Sequence, residues 1–484
     1  MAQTQGDQEL GTITTDIPAR LDRLPWARWH WVIVIGLGTV WVLDGLEVTI
    51  VGNLSDVLKD STHGLGLNSS QIGLAGAVYV AGSCIGALFF GQLTDRFGRK
   101  KLFIITLLVY LMGTVLTAAS MNPTWYFACR FITGLGIGGE YAAVYSAIDE
   151  LIPAAFRGRI DITINGSYWL GAAAGSLLTI PLLDPQLVNP EFGWRFCFAL
   201  GAILGIGVLF VRRNVPESPR WLFIHGRENE AEDIVDGIEK RVAQEDDVEL
   251  EPVDQTLKIK QRHTIGLPTI ARTVFTEYPR RTILCLGMFI GQAFLYNAFF
   301  FTFGDTLQTF LGVGQTGWYL AAFAISNFAG ALILGPLFDK VGRKIMISAT
   351  YIVSGIVLAI AGFMLGNLTA VTLTIFGMVA FFVASAGASS AYLTASEIFP
   401  METRALCIAF FYAIGTAAGG ISGPLLFGKL IDNATAAKDI TGTAPGYYLG
   451  AALMIVGGVL AIFLSVDAEQ KSLEDIATPL TAED

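Results

Sequence analysis

Two carboxyl groups and one guanidinium group fall inside long apolar stretches of this chain. Asp44 and Glu47 lie three residues apart, which places both on one face of a helix. Arg130 lies in a later apolar stretch. A charged side chain in an apolar helix costs several kcal/mol when it has no partner, so such residues usually serve function and have a partner of opposite charge. We therefore expect one of these acids to pair with Arg130.

The depths of Glu47 and Arg130 support this pairing. The first apolar stretch ends near Asn53, and the stretch that contains Arg130 begins near Pro123. At roughly 1.5 Å per residue, Glu47 lies about 9 Å and Arg130 about 10 Å below the same boundary. A desolvated carboxyl group beside an arginine can gain and lose a proton as its access to water alternates. The alternative is a permanent structural salt bridge.

A second group of residues has the chemistry to bind a small molecule. Amide and aromatic side chains lie near the middles of several apolar stretches. Buried amides need hydrogen-bond partners, and aromatic rings offer flat apolar walls. Together they suit a small metabolite that bears an aromatic ring or a carboxylate, although each could instead hold two helices together. The candidates are Asn165, Tyr168, Gln292, Tyr296, Asn297, Asn327 and Tyr412.

The composition requires a lipid bilayer around the chain. Of 484 residues, 53% are apolar and 15% charged, and the mean hydropathy is +0.56, whereas soluble domains carry roughly 25% charge. The net charge of −10 comes mainly from the tails and a central loop, so it indicates no nucleic-acid partner. The five cysteines lack metal-like spacing, and the four histidines lie outside the apolar stretches or at their edges. We expect no metal, no organic cofactor and no enzyme activity.

Two motifs occur twice in the chain. Their copies are Gly91-Gln-Leu-Thr-Asp95-Arg-Phe-Gly98-Arg99-Lys100 with Gly335-Pro-Leu-Phe-Asp339-Lys-Val-Gly342-Arg343-Lys344, and Glu150-x-x-Pro153-x-x-x-Arg157 with Glu397-x-x-Pro400-x-x-x-Arg404, at offsets of 244 and 247 residues. Two offsets so similar indicate a duplicated half. In an apolar chain, parallel halves are typical of membrane transporters with a site between them. The glycine allows a tight turn, and the carboxylate beside guanidinium groups can lock a helix end.

The apolar segments predict an all-α polytopic membrane protein with twelve transmembrane helices in two pseudo-symmetric six-helix halves. We expect an N-terminal tail (1–29), a first half (30–212), a central loop with a surface helix at 228–245 (213–280), a second half (281–466) and a C-terminal tail (467–484). Glycines 134, 136, 138 and 139 predict close packing of span 4. The predicted spans are about 30–53, 70–93, 102–121, 123–148, 160–183, 191–212, 281–311, 315–337, 345–365, 367–391, 405–427 and 446–466.

Basic residues predict the orientation of the chain. The short loops after spans 2, 4, 8 and 10 hold ten Lys and Arg residues, whereas the loops on the opposite side hold three. Basic loops stay in the cytoplasm. We therefore expect both termini and the central loop to be cytoplasmic, in a multi-pass protein of the cell membrane.

Over its whole length the chain resembles the major facilitator superfamily, on the strength of the duplicated motifs. The run Pro216-Glu-Ser-Pro-Arg-Trp-Leu222 after span 6 resembles the sugar-porter-like branch. Segments 21–31, 44–47 and 130–140 are most similar to bacterial metabolite:proton symporters. Span 7 lacks the second glutamine of sugar porters, and span 10 lacks their Gly-Pro-x-Pro-Trp stretch, which disfavours a hexose substrate.

The resemblance implies residue roles. Glu47 is favoured over Asp44 as the proton site because it matches the span 1 aspartate of sugar porters. Glu140 lies about 25 Å below the outer surface at the same rise per residue, which favours the inner gate or proton exit over the substrate pocket. The implied cytoplasmic gate, which holds the outward-facing state, contains Asp95, Arg99, Glu150, Arg157, Asp339, Arg343, Glu397 and Arg404.

These observations predict a secondary active transporter that imports a small organic metabolite with a proton by alternating access. We expect a monomer whose substrate pocket lies between the middles of spans 1, 4, 5, 7, 8, 10 and 11. The alternatives are a proton-driven exporter of organic acids or drugs, sugar uptake, and a transporter-like nutrient sensor. The short C-terminal tail argues against a sensor.

Overall fold

A computed structural model provides the structure of the chain. It describes residues 9–153, 155–212, 216–247, 250–253, 255–262, 271–400, 404–468, 471 and 476–477. The side chains of three predicted gate residues, Asp95, Glu150 and Arg404, lie outside this description.

Twelve long helices in the described part form the membrane-spanning body. Ten have the length and hydropathy to cross a membrane, and two more, spans 4 and 5, run alongside them as helices of 29 and 26 residues. The spans are, in order, Arg28–Asn53, Ser69–Phe97, Arg99–Ala118, Pro123–Leu151, Arg157–Leu182, Pro190–Arg212, Pro279–Leu311, Gly317–Lys340, Arg343–Met364, Ala370–Glu397, Arg404–Gly415 continued by a π-helical segment Thr416–Ile421 and by Ser422–Ala437, and Ala444–Leu464.

Most predicted boundaries agree with these helices to within a few residues, and span 11 is the clearest exception. Its predicted end was 427, but the helix continues to Ala437. The apolar run ends near the predicted boundary, and hydropathy reports only the end of that run. The helix itself continues because its backbone hydrogen bonds do not depend on lipid.

The two copies of the glycine motif make the same turn. Gly98 and Gly342 have φ values of 92° and 109°, a region that favours glycine. Gly98 follows the span that ends at Phe97, and Gly342 lies two residues after the span that ends at Lys340. The next span begins immediately after each glycine, at Arg99 and at Arg343. The duplicated sequence therefore specifies a duplicated tight turn.

Small residues allow close packing between neighbouring helices. A Cβ atom on Gly134 or Gly138 would lie within 2.0 or 1.8 Å of a backbone oxygen of span 2. The prediction that span 4 packs closely through its glycines is confirmed. The two halves also approach closely, since a Cβ atom on Gly304 of span 7 would lie 2.4 Å from the backbone oxygen of Gly52 of span 1.

The remaining described elements lie at the two ends of the bundle. Strand β1 (Glu9–Thr15) pairs antiparallel with strand β2 (Leu257–Arg262). Short helices occupy Ser55–Lys59, Ile17–Asp22 and Pro219–Ile224, and a longer linker helix occupies Glu228–Asp246, close to the predicted 228–245. Shorter π-helical and 3-10 segments cover Thr273–Glu277, Leu365–Asn367 and Ile440–Thr443.

Arg20 attaches the N-terminal helix to the linker helix. Its guanidinium donates to Glu232 at 2.7 Å, to Asp236 at 2.6 Å and to Glu239 at 2.5 and 3.0 Å. The hydrogen bond with Glu239 is the largest cause of a raised pKa at Arg20. Burial opposes ionisation of Glu239, but hydrogen bonds from Arg20 and Arg23 outweigh it and lower the pKa of this carboxyl group.

Candidate functional site

Asp44 and Glu47 occupy one face of span 1 but lie in different surroundings. Both are buried, with 2% and 1% of their surface exposed. Glu47 contacts spans 3 and 4, whereas Asp44 lines a cavity between the two halves. One helical turn thus separates a buried ion pair from an acid that faces the cavity.

Glu47 and Arg130 form the expected pair. Nη1 of Arg130 donates to Oε1 of Glu47 at 2.6 Å, and the hydroxyl of Thr114 donates to Oε2 at 2.9 Å. Arg130 is completely buried. Its guanidinium carbon lies 4.5 Å from the ring centroid of Tyr79 of span 2, a cation–π distance. Whether the pair carries a proton stays a prediction.

Asp44 is held by tyrosines. The hydroxyl of Tyr79 donates to Oδ1 at 2.9 Å, and that of Tyr141 donates to Oδ2 at 2.6 Å. Among the described residues, no arginine or lysine forms a salt bridge with Asp44. Tyr79 therefore contacts both charged groups, with its ring over Arg130 and its hydroxyl on Asp44.

The cavity between the halves has a volume of about 110 Å³. A buried cavity of roughly 150 Å³ accepts a benzene molecule. The cavity between the halves is therefore of a size for no more than one small ring, unless its walls move. Asp44 is the only charged side chain among the described lining residues. Aromatic rings dominate the wall, with Trp41, Trp169, Phe300 and the tyrosines Tyr79, Tyr141, Tyr168, Tyr296, Tyr392 and Tyr412.

Six of the seven predicted substrate residues line this cavity: Asn165, Tyr168, Gln292, Tyr296, Asn297 and Tyr412. The seventh, Asn327, lies outside the described lining of the cavity, and its role in substrate binding stays a prediction. Asn327 is completely buried behind Tyr296, whose hydroxyl donates to it at 3.2 Å, and its own amide donates to the carbonyl of Phe323 at 3.0 Å. Span 2 contributes to the described lining where span 8 was expected.

Tyr79, Tyr141, Trp41 and Trp169 were missed by sequence reasoning. Aromatic residues are common on lipid-facing and core surfaces of apolar helices, so residue type alone does not single them out. Trp41 lies one helical turn before Asp44, so the two residues share a face of span 1. The spacing alone does not show which way that face points.

Glu140 lies outside the described lining of the cavity. It is buried and shares a narrow crevice with Asp44, Trp41 and Tyr141. The expectation that Glu140 belongs to the inner gate or the proton exit stays a prediction.

The second-half gate residues form one cluster. Arg343 donates to both carboxylate oxygens of Glu397, at 3.1 and 3.0 Å, and to Asp339 at 2.9 Å. The backbone N–H of Arg159, from the first half, donates to Asp339 at 3.0 Å. This cluster therefore contains a contact between the two halves.

The described gate residues predicted in the first half contact elements outside the spans. Arg157 donates to Asp22 of the N-terminal helix at 3.2 Å, and Arg220 lies 3.6 Å from the same carboxylate. Glu217 accepts from the backbone N–H groups of Arg99 and Lys100 at 2.9 and 3.2 Å. Sequence reasoning missed Asp22 and Glu217 because their partners are distant in sequence.

Contacts also join the halves at the opposite end of the bundle. Lys59 forms a salt bridge with the buried Asp305 of span 7, and Thr316 donates to Asn53 at 3.2 Å. Ser70 of span 2 donates to Asp432 of span 11. The halves therefore touch on both sides of the cavity.

Comparison with known proteins decides the class of the chain. The model of the family described as "Sugar (and other) transporter" matches residues 32–480. The chain belongs to this transporter family. It is a multi-pass membrane transporter of the major facilitator superfamily and not an enzyme.

Relatives match this transporter over nearly its full length. The niacin transporter NiaP of Acinetobacter baylyi is 27% identical over 467 residues, covering 95% of this chain and 99% of that protein. An arabinose-proton symporter of Bacillus subtilis is 27% identical over 483 residues, covering 95% and 98%.

A solved structure confirms the fold. The proton:xylose symporter XylE, bound to 6-bromo-6-deoxy-D-glucose, superimposes with a TM-score of 0.71 at 17% identity, covering 93% of this chain and 98% of that one. The predicted twelve-helix major facilitator fold is therefore confirmed.

Proposed function

We propose that this transporter imports a small ring-bearing organic metabolite together with a proton, across the cell membrane and by alternating access. One observation carries the proposal: a buried acid–arginine pair, Glu47–Arg130, is linked by a single side chain, Tyr79, to a cavity between the halves. We take a monomer as the working unit, and the excess of basic residues in the loops after spans 2, 4, 8 and 10 supports cytoplasmic termini.

Glu47 is the proposed proton carrier. Removing one partner of a buried ion pair costs about 3–5 kcal/mol because the other charge is left unpaired. Protonation of Glu47 thus leaves Arg130 buried without a counter-ion, and a conformational change of the protein must offset that cost in free energy. A transporter without proton coupling has no need of this pair, and the similarity to proton symporters supports the assignment.

Contacts on the two sides of the cavity are the proposed gates. The Arg343–Glu397–Asp339 cluster with Arg159 closes the cytoplasmic side, and the Lys59–Asp305 bridge closes the other. On the cytoplasmic side the described link between the halves is the hydrogen bond from the backbone N–H of Arg159 to Asp339, and on the other side it is the Lys59–Asp305 ion pair. Both can break and re-form as the halves rock.

The aromatic wall favours a flat ring as cargo. Stacked and edge-on contacts to rings are worth about 0.5–1.5 kcal/mol each beyond area burial. The similarity to a niacin transporter supports a ring-bearing substrate over a hexose. A carboxylate on that ring requires a cationic partner, and none lies in the described lining.

Transport in proteoliposomes tests the proposal. With an inward pH gradient, acid outside, we expect radiolabelled nicotinate or benzoate to accumulate inside and hexoses not to accumulate. Uptake driven by the opposite gradient would indicate a proton-driven exporter. Accumulation of a hexose without any response to ring compounds would contradict the proposed substrate class.

A further inference from the structure

Arg130 has hydrogen-bonding capacity that its partner does not use. Only Nη1 bonds Glu47, while Nε and Nη2 make no hydrogen bond to any described residue, although the side chain is completely buried. A guanidinium carries five N–H donors and binds carboxylates through two parallel hydrogen bonds. The arrangement leaves part of the donor set available for a second carboxylate.

Tyr79 separates Arg130 from the cavity. Its ring lies 4.5 Å from the guanidinium carbon, and the same residue lines the cavity wall. The hydroxyl of Tyr79 is anchored to Asp44 at 2.9 Å. A ligand in the cavity reaches Arg130 if this one side chain moves.

Charge in the cavity makes such a movement necessary for an anionic ligand. Asp44 is the only charged group of the described lining, and an anion beside it finds no cation within the cavity as it stands. Arg130 is a buried cation that contacts the wall of the cavity through Tyr79. A charge buried without a partner is strongly unfavourable.

We infer that Arg130 is the carboxylate-binding group for a small aromatic carboxylate, and that Tyr79 covers it until Glu47 takes up a proton. The inference rests on the proposed function and names its substrate class. A proton adds to a carboxylate oxygen of Glu47, which becomes neutral, while Arg130 keeps its charge because a guanidinium does not lose its proton in proteins. The substrate carboxylate then replaces Glu47 as the counter-ion of Arg130.

The replacement of Glu47 by the substrate carboxylate on Arg130 couples binding of the proton to binding of the substrate. Without the proton, Glu47 occupies Arg130 and the substrate binds weakly; without the substrate, protonation leaves Arg130 buried and unpaired. Each ligand therefore favours the other, which is the reciprocity that symport requires. When Tyr79 moves, Asp44 keeps its bond from Tyr141 at 2.6 Å.

Binding of a matched ligand pair to the purified full-length protein tests the inference. Benzoate and benzamide share a ring and are similar in size but differ in charge. Glu47→Gln imitates the protonated acid, so we expect benzoate affinity at pH 7.5 to rise about tenfold and benzamide affinity to change less than about threefold. Tyr79→Phe keeps the ring but loses its hydrogen bond to Asp44, so the ring moves away from Arg130 more easily. We therefore expect the affinity for benzoate, but not for benzamide, to rise about tenfold.

Controls separate this mechanism from a general change in the cavity. Tyr168→Phe alters another lining tyrosine and should change both affinities alike. Combining Glu47→Gln with Arg130→Gln should abolish the gain for benzoate. An unchanged benzoate-to-benzamide ratio in Tyr79→Phe, or in a folded Glu47→Gln protein, would overturn the inference while leaving proton-coupled transport of rings intact. Failure of both ligands to bind wild-type protein would instead contradict the proposed function.

Discussion

At the scale of single residues, rotation about a helix axis decides which side chains meet the cavity. The sequence places both Asn165 and Asn327 inside spans, but of these two residues only Asn165 lines the cavity. Asn327 supports the wall from behind through its bond with the hydroxyl of Tyr296. Depth follows from sequence position, whereas the facing direction depends on how the helices pack.

This difference predicts separate effects for two alanine substitutions. Asn165→Ala removes a cavity-facing amide that accepts from Ser389 at 2.8 Å, and we expect it to weaken benzoate binding about three- to tenfold. Asn327→Ala should lower the free energy of unfolding by about 1–3 kcal/mol, because a buried hydroxyl loses its partner. Titration calorimetry measures the change in benzoate binding, and thermal unfolding in detergent measures the change in stability. The reverse pattern would contradict the placement of these amides.

The Glu47–Arg130 pair could be anticipated because matching depths and opposite charges restrict the choice of partners. Tyr79 could not, since its importance lies in contacts with two groups from different spans. Nor could Asp22, whose partner Arg157 lies 135 positions along the chain. Such contacts follow from the packed structure, not from local sequence spacing.

At the scale of elements, the duplicated motifs supply one of the two proposed gates, whereas the residues of the other proposed gate belong to no repeated sequence. Apolar length and glycine turns were sufficient to predict the spans, and the copies at Gly98 and Gly342 indeed make matching turns. Lys59 is one of the three basic residues that the sequence places in the loops on the side of the other proposed gate. Its salt bridge with Asp305 arises where the short helix Ser55–Lys59 meets span 7.

Lys59→Met should open this side of the transporter. Asp305 is 1% exposed, so losing its partner leaves a buried charge that favours opening to water. We expect faster labelling of a cysteine placed in the cavity by a membrane-impermeant reagent added to that side. Lys429→Met, at an exposed site on span 11, is the matched control. Equal labelling of the two variants would exclude a gating role for the bridge.

The N-terminal helix should detach from the linker helix in acid. The lowered pKa of Glu239 means that its ionised form is stabilised in the folded protein, relative to the ordinary value of 4.5. This stabilisation is fully present above pH 4.5, and it is lost as the pH falls through the lower pKa that Glu239 has in the folded protein. Hydrogen exchange of residues 17–22 should therefore be slow at neutral pH and fast at low pH. Glu239→Gln should show fast exchange already at neutral pH; slow exchange there would contradict this role of the carboxylate.

At the scale of the whole molecule, one proton that accompanies one carboxylate carries no net charge. Uptake of benzoate by this stoichiometry responds to the pH gradient, worth about 1.4 kcal/mol per unit, and not to voltage. A neutral substrate would gain about 2.3 kcal/mol more per 100 mV. In proteoliposomes, we expect a valinomycin-imposed potential alone to drive no benzoate accumulation. Strong voltage-driven accumulation would indicate more than one proton per substrate.

The most direct measurement compares accumulation and exchange in a Glu47→Gln transporter reconstituted in proteoliposomes. We expect the variant to lose accumulation of labelled substrate under an inward pH gradient but to retain exchange of labelled for unlabelled substrate, because the cavity and both gates stay intact. Accumulation at the wild-type level would show that Glu47 is not the proton carrier and would contradict the central role of its pair with Arg130.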